Sequence, residues 1–230
     1  MIDFHAAAVE VTAPEGRLTI LHPATLTLAE PRISVIGANG SGKSTFARLL
    51  NGLVEPTSGS VRVQADSWLD TVTDGAAVRR RVGFTFSDPG AQLVMPTALE
   101  DVALSLRRRY RRRTERDEAA RAALERFGIG ELADRSVHTL SGGQRQLLAC
   151  ASVLATDPAI LVADEPTTLL DLRNSRMIGD LLMSLPQQVV LVTHDLDLAA
   201  RADRTLVIDE GRVVFDGDPA AAVAHYRGLA

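Results

Sequence analysis

The sequence predicts an α/β fold built on a parallel sheet, with antiparallel strands toward the N-terminus and a helical insert. Three observations point there. Short apolar runs at residues 33–36, 159–163 and 188–192 each break off into glycine or polar residues, as strands buried on both faces of a parallel sheet do. Residues 2–28 instead read as short alternating segments punctuated by Pro14, Gly16 and Pro23, the pattern of antiparallel strands. Between about residues 87 and 145, apolar residues recur at helical spacing.

The first strand, residues 33–36, leads into Gly37-Ala38-Asn39-Gly40-Ser41-Gly42-Lys43-Ser44-Thr45. A helix is expected over residues 46–51, ending at Gly52. Strand, glycine loop, Lys-Ser/Thr and helix in that order make a phosphate site. Glycines let the backbone turn tightly and aim its N–H groups inward. Lys43 supplies a full charge for β- and γ-phosphates, and the Ser44 hydroxyl is placed for Mg²⁺. A plain glycine turn is the alternative, but it leaves the coincidence of all these parts unexplained. Nucleoside triphosphate binding follows.

Ser58-Gly59-Ser60 reads as a turn before a strand at residues 61–63, and residues 80–86 read as a core strand. Trp68 is expected to be partly buried. After the polar loop at residues 87–92, helices are expected over 93–106 and 116–127, the second ending near Gly128 and Gly130. Between them runs Arg107-Arg108-Arg109-Tyr110-Arg111-Arg112-Arg113. Basic residues with an interleaved aromatic invite a nucleic-acid or lipid-headgroup reading. A solvated segment balanced by Glu115, Asp117 and Glu118 is the favoured expectation.

Leu140-Ser141-Gly142-Gly143-Gln144 is a second glycine turn, opening a helix over residues 145–154. The apolar strand at residues 159–163 delivers Asp164 to a phosphate-bound Mg²⁺ and sets Glu165 where it orients or deprotonates a water. Residues 167–171 form a loop. The last apolar strand ends at His194, at the crevice where ligands of open α/β sheets bind. The tail returns to β structure at residues 205–209 and 212–215.

Composition excludes several classes. The formal net charge is −4, with 25 basic and 29 acidic residues, which argues against a dedicated nucleic-acid binder. One cysteine, Cys150 in an apolar run, allows no internal disulfide and is expected to be a buried inert thiol in a cytosolic chain. No apolar run approaches the ~20 residues of a membrane span, and no signal peptide is visible. No internal repeat appears.

With residues 37–45, Gln92, 140–144, Asp164, Glu165, Asp171 and His194 in this order, the chain resembles an ABC-type ATPase over nearly its whole length. The resemblance implies a P-loop NTPase core of the RecA-like type, with an N-terminal antiparallel β subdomain and an inserted α-helical subdomain. It implies one ATPase unit over 1–230, with about 1–86 and 146–230 as core and 87–145 as the helical signature part. ATP and Mg²⁺ are the implied cofactors. Gly37, Asn39, Gly40, Ser41, Gly42, Lys43, Ser44 and Thr45 are assigned to ATP, as are Ser141, Gly142, Gly143 and Gln144 across a head-to-tail dimer. Ser44, Gln92 and Asp164 are assigned to the metal. Glu165 is the implied base, His194 the γ-phosphate switch, Asp171 a cross-interface coupler, and Gln92 the link to a transport partner.

Residues Ser87-Asp88-Pro89 through Gln92 to Thr97, then Glu100-Asp101-Val102, with Asp164-Glu165-Pro166-Thr167-Thr168 and Leu170-Asp171, are similar to energy-coupling-factor (ECF) importers of vitamins and metal ions. The short chain is most similar to the biotin branch. Implied partners are a second ATPase subunit, a transmembrane coupling protein and an integral-membrane substrate binder, on the cytoplasmic face of the membrane, with no nucleic acid. One departure stands out: the aromatic that many ABC ATPases stack on adenine is missing around residues 11–13, and Phe4 and His5 lie early for it. A soluble ABC ATPase acting on nucleic acid or protein assembly is the alternative. A P-loop kinase leaves residues 140–144 unexplained.

Overall fold

The computed structural model describes residues 1–14, 16–168 and 170–229. In chain order the strands are β1 (Ile2–Ala13), β2 (Gly16–Leu28), β3 (Arg32–Ile36), β4 (Ser58–Gln64), β5 (Trp68–Asp70), β6 (Val82–Thr85), β7 (Ile160–Asp164), β8 (Gln188–Val192), β9 (Arg204–Asp209) and β10 (Arg212–Gly217). The helices are α1 (Lys43–Leu49), α2 (Gly75–Arg81), α3 (Ala98–Ser105), α4 (Arg113–Arg126), α5 (Gly142–Leu154), α6 (Leu172–Ser184), α7 (Leu196–Ala199) and α8 (Pro219–Leu229).

Two sheets form. One is antiparallel, ordered β2-β1-β4-β5; the other runs β10-β9-β3-β8-β7-β6 and is parallel except for β10. The six-stranded sheet is covered on both faces, which is why its strands read as unbroken apolar runs. Leu161, Ala163, Val189 and Leu191 face a core made with α3, α4, α5 and α6. Ile160, Val162, Val190 and Val192 face the antiparallel sheet and α1. Alternate residues of one strand therefore serve two cores, each fully buried side chain stabilising by about 1.5–3 kcal/mol. Among the described residues, no helix is long and apolar enough to cross a membrane.

Several boundaries differ from the sequence expectation. The helix expected from residue 93 begins at Ala98, because Pro96 bars helical backbone at Met95 and Thr97 forms a capping box with Glu100. Arg80 and Arg81 end α2 instead of opening a strand; only Val78 of that helix is buried, and β6 starts at Val82. Ser58-Gly59-Ser60 belongs to β4. Ala6 bulges in β1 with φ 45°, and a Cβ on Gly59 would collide with its carbonyl, so the glycine answers a close approach and not a turn. Trp68 is 42 % exposed, more than expected. Cys150 is buried, and burial pushes its thiol up to about 12. Of the loop expected at residues 167–171, Leu169 lies outside the described residues, as does Glu15 in the N-terminal region. Helices α6 and α8 were not expected, although Asp171 and Asp218 cap their first turns.

Candidate functional site

Residues from three strand ends, those of β3, β7 and β8, meet at one edge of the parallel sheet. β8 lies between β3 and β7, so the loop after β3 and the carboxylates ending β7 sit on either side of the strand leading to His194. The joins are tight. Glu165 N–H donates to the Val192 carbonyl at 2.9 Å, and Thr193 N–H to the Val35 carbonyl at 3.1 Å.

The loop at residues 37–42 is shaped by its glycines. Gly37 has φ +153°, and a Cβ there would strike the Ile208 carbonyl of β9. Gly42 has φ +102°, and its Cβ would lie 2.8 Å from the Ile20 carbonyl. Lys43 is buried and donates to the carbonyls of Gly37 and Ala38 at 2.9 and 2.8 Å. Burial holds its ammonium below the ordinary lysine value, while Glu165 and Asp164 pull the other way. The Ser41 hydroxyl is buried without a partner. A buried ammonium held by backbone carbonyls, beside a buried hydroxyl with no partner among the described residues, is the chemistry of an anion cradle.

Ser44 Oγ donates to Asp164 Oδ1 at 3.0 Å. Burial raises the Asp164 carboxyl above its ordinary range, against the Ser44 hydrogen bond. A buried carboxylate beside a hydroxyl fits a divalent cation, which would restore the charged form. Among the described residues no group of three or more His, Cys, Asp or Glu side chains is arranged to hold a metal ion by itself. The donor set therefore suits Mg²⁺ completed by phosphate oxygens and water, not an all-protein cage.

Glu165 adopts φ 52°, uncommon for a residue with a side chain. Its Oε2 accepts from Thr168 Oγ1 at 3.0 Å and meets His194 Nδ1 at 2.7 Å. Gln92, assigned to the metal from sequence, is engaged elsewhere in this conformation. Its Oε1 accepts from Phe86 N–H at 3.3 Å and its Nε2 donates to the Ala149 carbonyl at 3.2 Å, so both ends of the amide are committed to its own loop and to α5.

The second glycine turn caps α5. Ser141 Oγ accepts from Gln144 N–H, and Gln144 Oε1 accepts from Ser141 N–H at 2.9 Å. The Gln144 carbonyl oxygen is thus turned back onto the helix end. Gly143 lies against Asn174, whose side chain is held at 3.1 Å by Asp171, the cap of α6. Asp171 and residues 141–143 are therefore linked within one chain. Ser141–Gly143 and Lys43 belong to separate places on the chain, each offering one side of an anion site. Phe4 is no adenine platform: it is buried and stacked on Phe46 at 4.7 Å.

Two residues passed over in the sequence tie the loops to their supports. Asp101, buried at 4 % exposure, accepts from Val94 and Met95 N–H at 2.9 and 3.1 Å and from Ser152 Oγ at 3.1 Å. Asn174 is the other. The capping box Thr97–Glu100 was readable, but nothing local marks Asp101, because its partners come from a loop and a distant helix.

A sequence profile described as "ABC transporter" matches residues 21–168. The chain belongs to that family, whose ATP-binding subunits hydrolyse ATP to power transport. Within it the chain is an ATP-binding subunit of the ABC/ECF type. A biotin transport ATP-binding protein, BioM of Rhizobium etli, is 44 % identical over 229 residues, covering 100 % of this chain and 99 % of that protein. The energy-coupling factor transporter ATP-binding protein EcfA1 of Latilactobacillus sakei is 38 % identical over 202 residues, 86 % of this chain and 71 % of that protein. Among solved structures, the dimeric bacterial ABC transporter cassette MJ0796 superposes with TM-score 0.84 at 31 % identity, covering 95 % and 99 % of the two chains. CbiO1 of Clostridium perfringens, described as part of an ABC transporter complex, does so with TM-score 0.82 at 28 % identity, covering 99 % and 92 %.

Proposed function

We propose that the chain powers an ECF-type importer whose cargo is a vitamin, with biotin the favoured substrate over a transition-metal ion. The observation that carries the biotin reading is the full-length similarity to BioM, end to end in both chains. In this reading residues 1–86 and 146–230 form the nucleotide core and residues 87–145 the helical part that meets the transmembrane partner. The chain sits on the cytoplasmic face, held there by a coupling protein and an integral-membrane substrate binder.

Two copies pair head to tail. The N–H groups and side chains of Gly37, Asn39, Gly40, Ser41, Gly42 and Thr45, with Lys43, hold the β- and γ-phosphates of ATP. Ser141, Gly142 and Gly143 of the other copy close over the γ-phosphate, and Gln144 keeps that helix end in shape. Ser44, Asp164 and, after it leaves Ala149, Gln92 would hold Mg²⁺, which when bound would supply charge neutralisation for the phosphate. Glu165 takes a proton from the attacking water at Oε1, its Oε2 being engaged by Thr168 and His194, while His194 reads the γ-phosphate. Its short contact to His194 and Thr168 fixes the carboxylate's direction, and Asp171 carries the state of one site to the other through Asn174 and Gly143.

The test is uptake of labelled biotin by cells carrying the chain with its membrane partners. Wild type is expected to accumulate biotin. Glu165→Gln is expected to keep nucleotide binding yet lower both hydrolysis and uptake by orders of magnitude. An assembled, hydrolysing complex that ignores biotin removes the cargo assignment; near-normal turnover in Glu165→Gln removes the base.

A further inference from the structure

β9 and β10 are joined by Glu210 and Gly211 alone, with Asp209 paired to Arg212. Both turn residues have positive φ, 43° and 73°, as tight two-residue hairpins require. A hairpin tip ordinarily stands in water. Gly211 is instead buried, because β2 and the loop at residues 37–42 close over it. A Cβ on Gly211 would lie 2.5 Å from the Ile20 carbonyl of β2, the same carbonyl that a Cβ on Gly42 would approach to 2.8 Å. Hydrogen bonds run across the three segments. His22 N–H donates to the Gly211 carbonyl at 2.8 Å, and Gly211 N–H donates to the Ser41 carbonyl at 2.9 Å. At the other end of the loop, Gly37 meets the Ile208 carbonyl of the same hairpin. One hairpin thus braces the phosphate loop at both ends.

The Ser41 carbonyl and the Gly42 N–H belong to one peptide group. In a trans peptide the two point in opposite directions. Drawing the carbonyl onto Gly211 therefore turns the Gly42 N–H away from the hairpin. That N–H makes none of the backbone bonds of the loop, and the next residue is Lys43, the cation of the cradle.

We propose that Gly211 is a positioning residue for ATP: its N–H fixes the Ser41–Gly42 peptide so that Gly42 N–H donates to a phosphate oxygen. The inference deepens the assignment of residues 37–45 to the triphosphate and rests on it. Gly211 touches no phosphate itself. An N–H aimed in advance needs no reordering when the anion arrives, whereas a free peptide would have to be turned at each binding event. The glycine serves close approach as well as φ, since Glu210 beside it holds φ 43° with a side chain.

The test is equilibrium titration of the full chain with ATP and with inorganic tripolyphosphate, well below its melting temperature. Gly211→Ala sets a Cβ against the Ile20 carbonyl and lifts the amide off Ser41. His22→Pro disturbs the same contact from β2, an edge strand that tolerates proline, by deleting the N–H that holds the Gly211 carbonyl. It keeps the proposal open to refutation if Gly211→Ala does not fold. Each is expected to weaken ATP and tripolyphosphate by the same factor, roughly 10- to 100-fold for one hydrogen bond to a charged oxygen. KM for ATP should rise by that factor, with kcat at saturation within about threefold of wild type. His22→Ala and Glu210→Gly keep both N–H groups and should bind both ligands as wild type does. Variants at Gly211 and His22 that melt lower yet bind both ligands normally overturn the proposal. So does a loss confined to ATP, or a loss as large in His22→Ala as in His22→Pro. Lys43→Ala separates the two readings. If it binds ATP like wild type, the phosphate assignment of the loop falls. If it loses ATP while Gly211→Ala and His22→Pro keep it, this inference alone falls.

Discussion

Asp164 shows what a metal site costs a protein before its ligand arrives. Burial raises its carboxyl above the ordinary range, so folding shifts this group toward the protonated form relative to the unfolded chain. Stability contributed by this group is therefore greatest at low pH and is lost as pH rises through the raised value. Asp164→Asn keeps an acceptor for Ser44 and removes the charge. It is expected to stabilise the nucleotide-free chain at neutral pH by on the order of 1 kcal/mol, about 2–4 °C in melting temperature, while Mg²⁺-dependent hydrolysis falls by orders of magnitude. The gain should shrink as pH is lowered. Thermal melts across pH check this; a variant less stable than wild type at neutral pH contradicts it. Lys43 is held below the ordinary lysine value by the same burial, and phosphate oxygens would restore its charged form. That these residue types belong together was readable from their order along the chain. That both ends of the Gln92 amide are engaged was not, because one partner is a backbone carbonyl of α5.

At the scale of elements, α5 holds the loop after β6 at two points one turn apart. Gln92 reaches Ala149 through one neutral hydrogen bond, while Asp101 gathers Val94 N–H, Met95 N–H and Ser152 Oγ on one buried carboxylate. The first is a single neutral bond; the second, with three donors on one buried carboxylate, is the stronger anchor of the loop. Asp101→Ala leaves two amides and a hydroxyl without their acceptor and is expected to cost on the order of 2–3 kcal/mol. Asp101→Asn keeps the carbonyl for both amides and lets Ser152 reverse its role, so it should stay within about 1 kcal/mol. Denaturant melts of both variants measure this, and equal losses in the two would show that the carboxylate's acceptors are not what matters. The helix boundaries teach a related lesson. Thr97 and Glu100 spell out a start for α3, and Pro96 bars an earlier one, yet the run of apolar residues from Leu93 suggests a longer helix than forms.

At the scale of the whole molecule, the proposed function closes ATP between two copies, since Lys43 opens α1 and Ser141–Gly143 open α5, on separate segments of one chain. The Glu165→Gln chain is expected to run as a dimer in size-exclusion chromatography with saturating ATP and Mg²⁺, and as a monomer without nucleotide; a species that stays monomeric with ATP argues against closure over Ser141–Gly143. Much of this was legible in the linear order. Lys43, Ser44, Asp164, Glu165 and His194 follow strands whose apolar runs announce a parallel sheet, and sheet topology alone brings strand ends together. Local chemistry also marks the caps at Ser141, Asp171 and Asp218, since each bonds within three residues of itself. What needed the folded chain were the contacts between distant segments: the Asp101 anchor, the engaged Gln92 amide, the Gly143–Asn174 approach and the Gly211 N–H on the Ser41 carbonyl. Periodicity and spacing report how a segment meets its neighbours in sequence. They carry no information about which side chain arrives from fifty residues away, and at this site those arrivals decide where each group points.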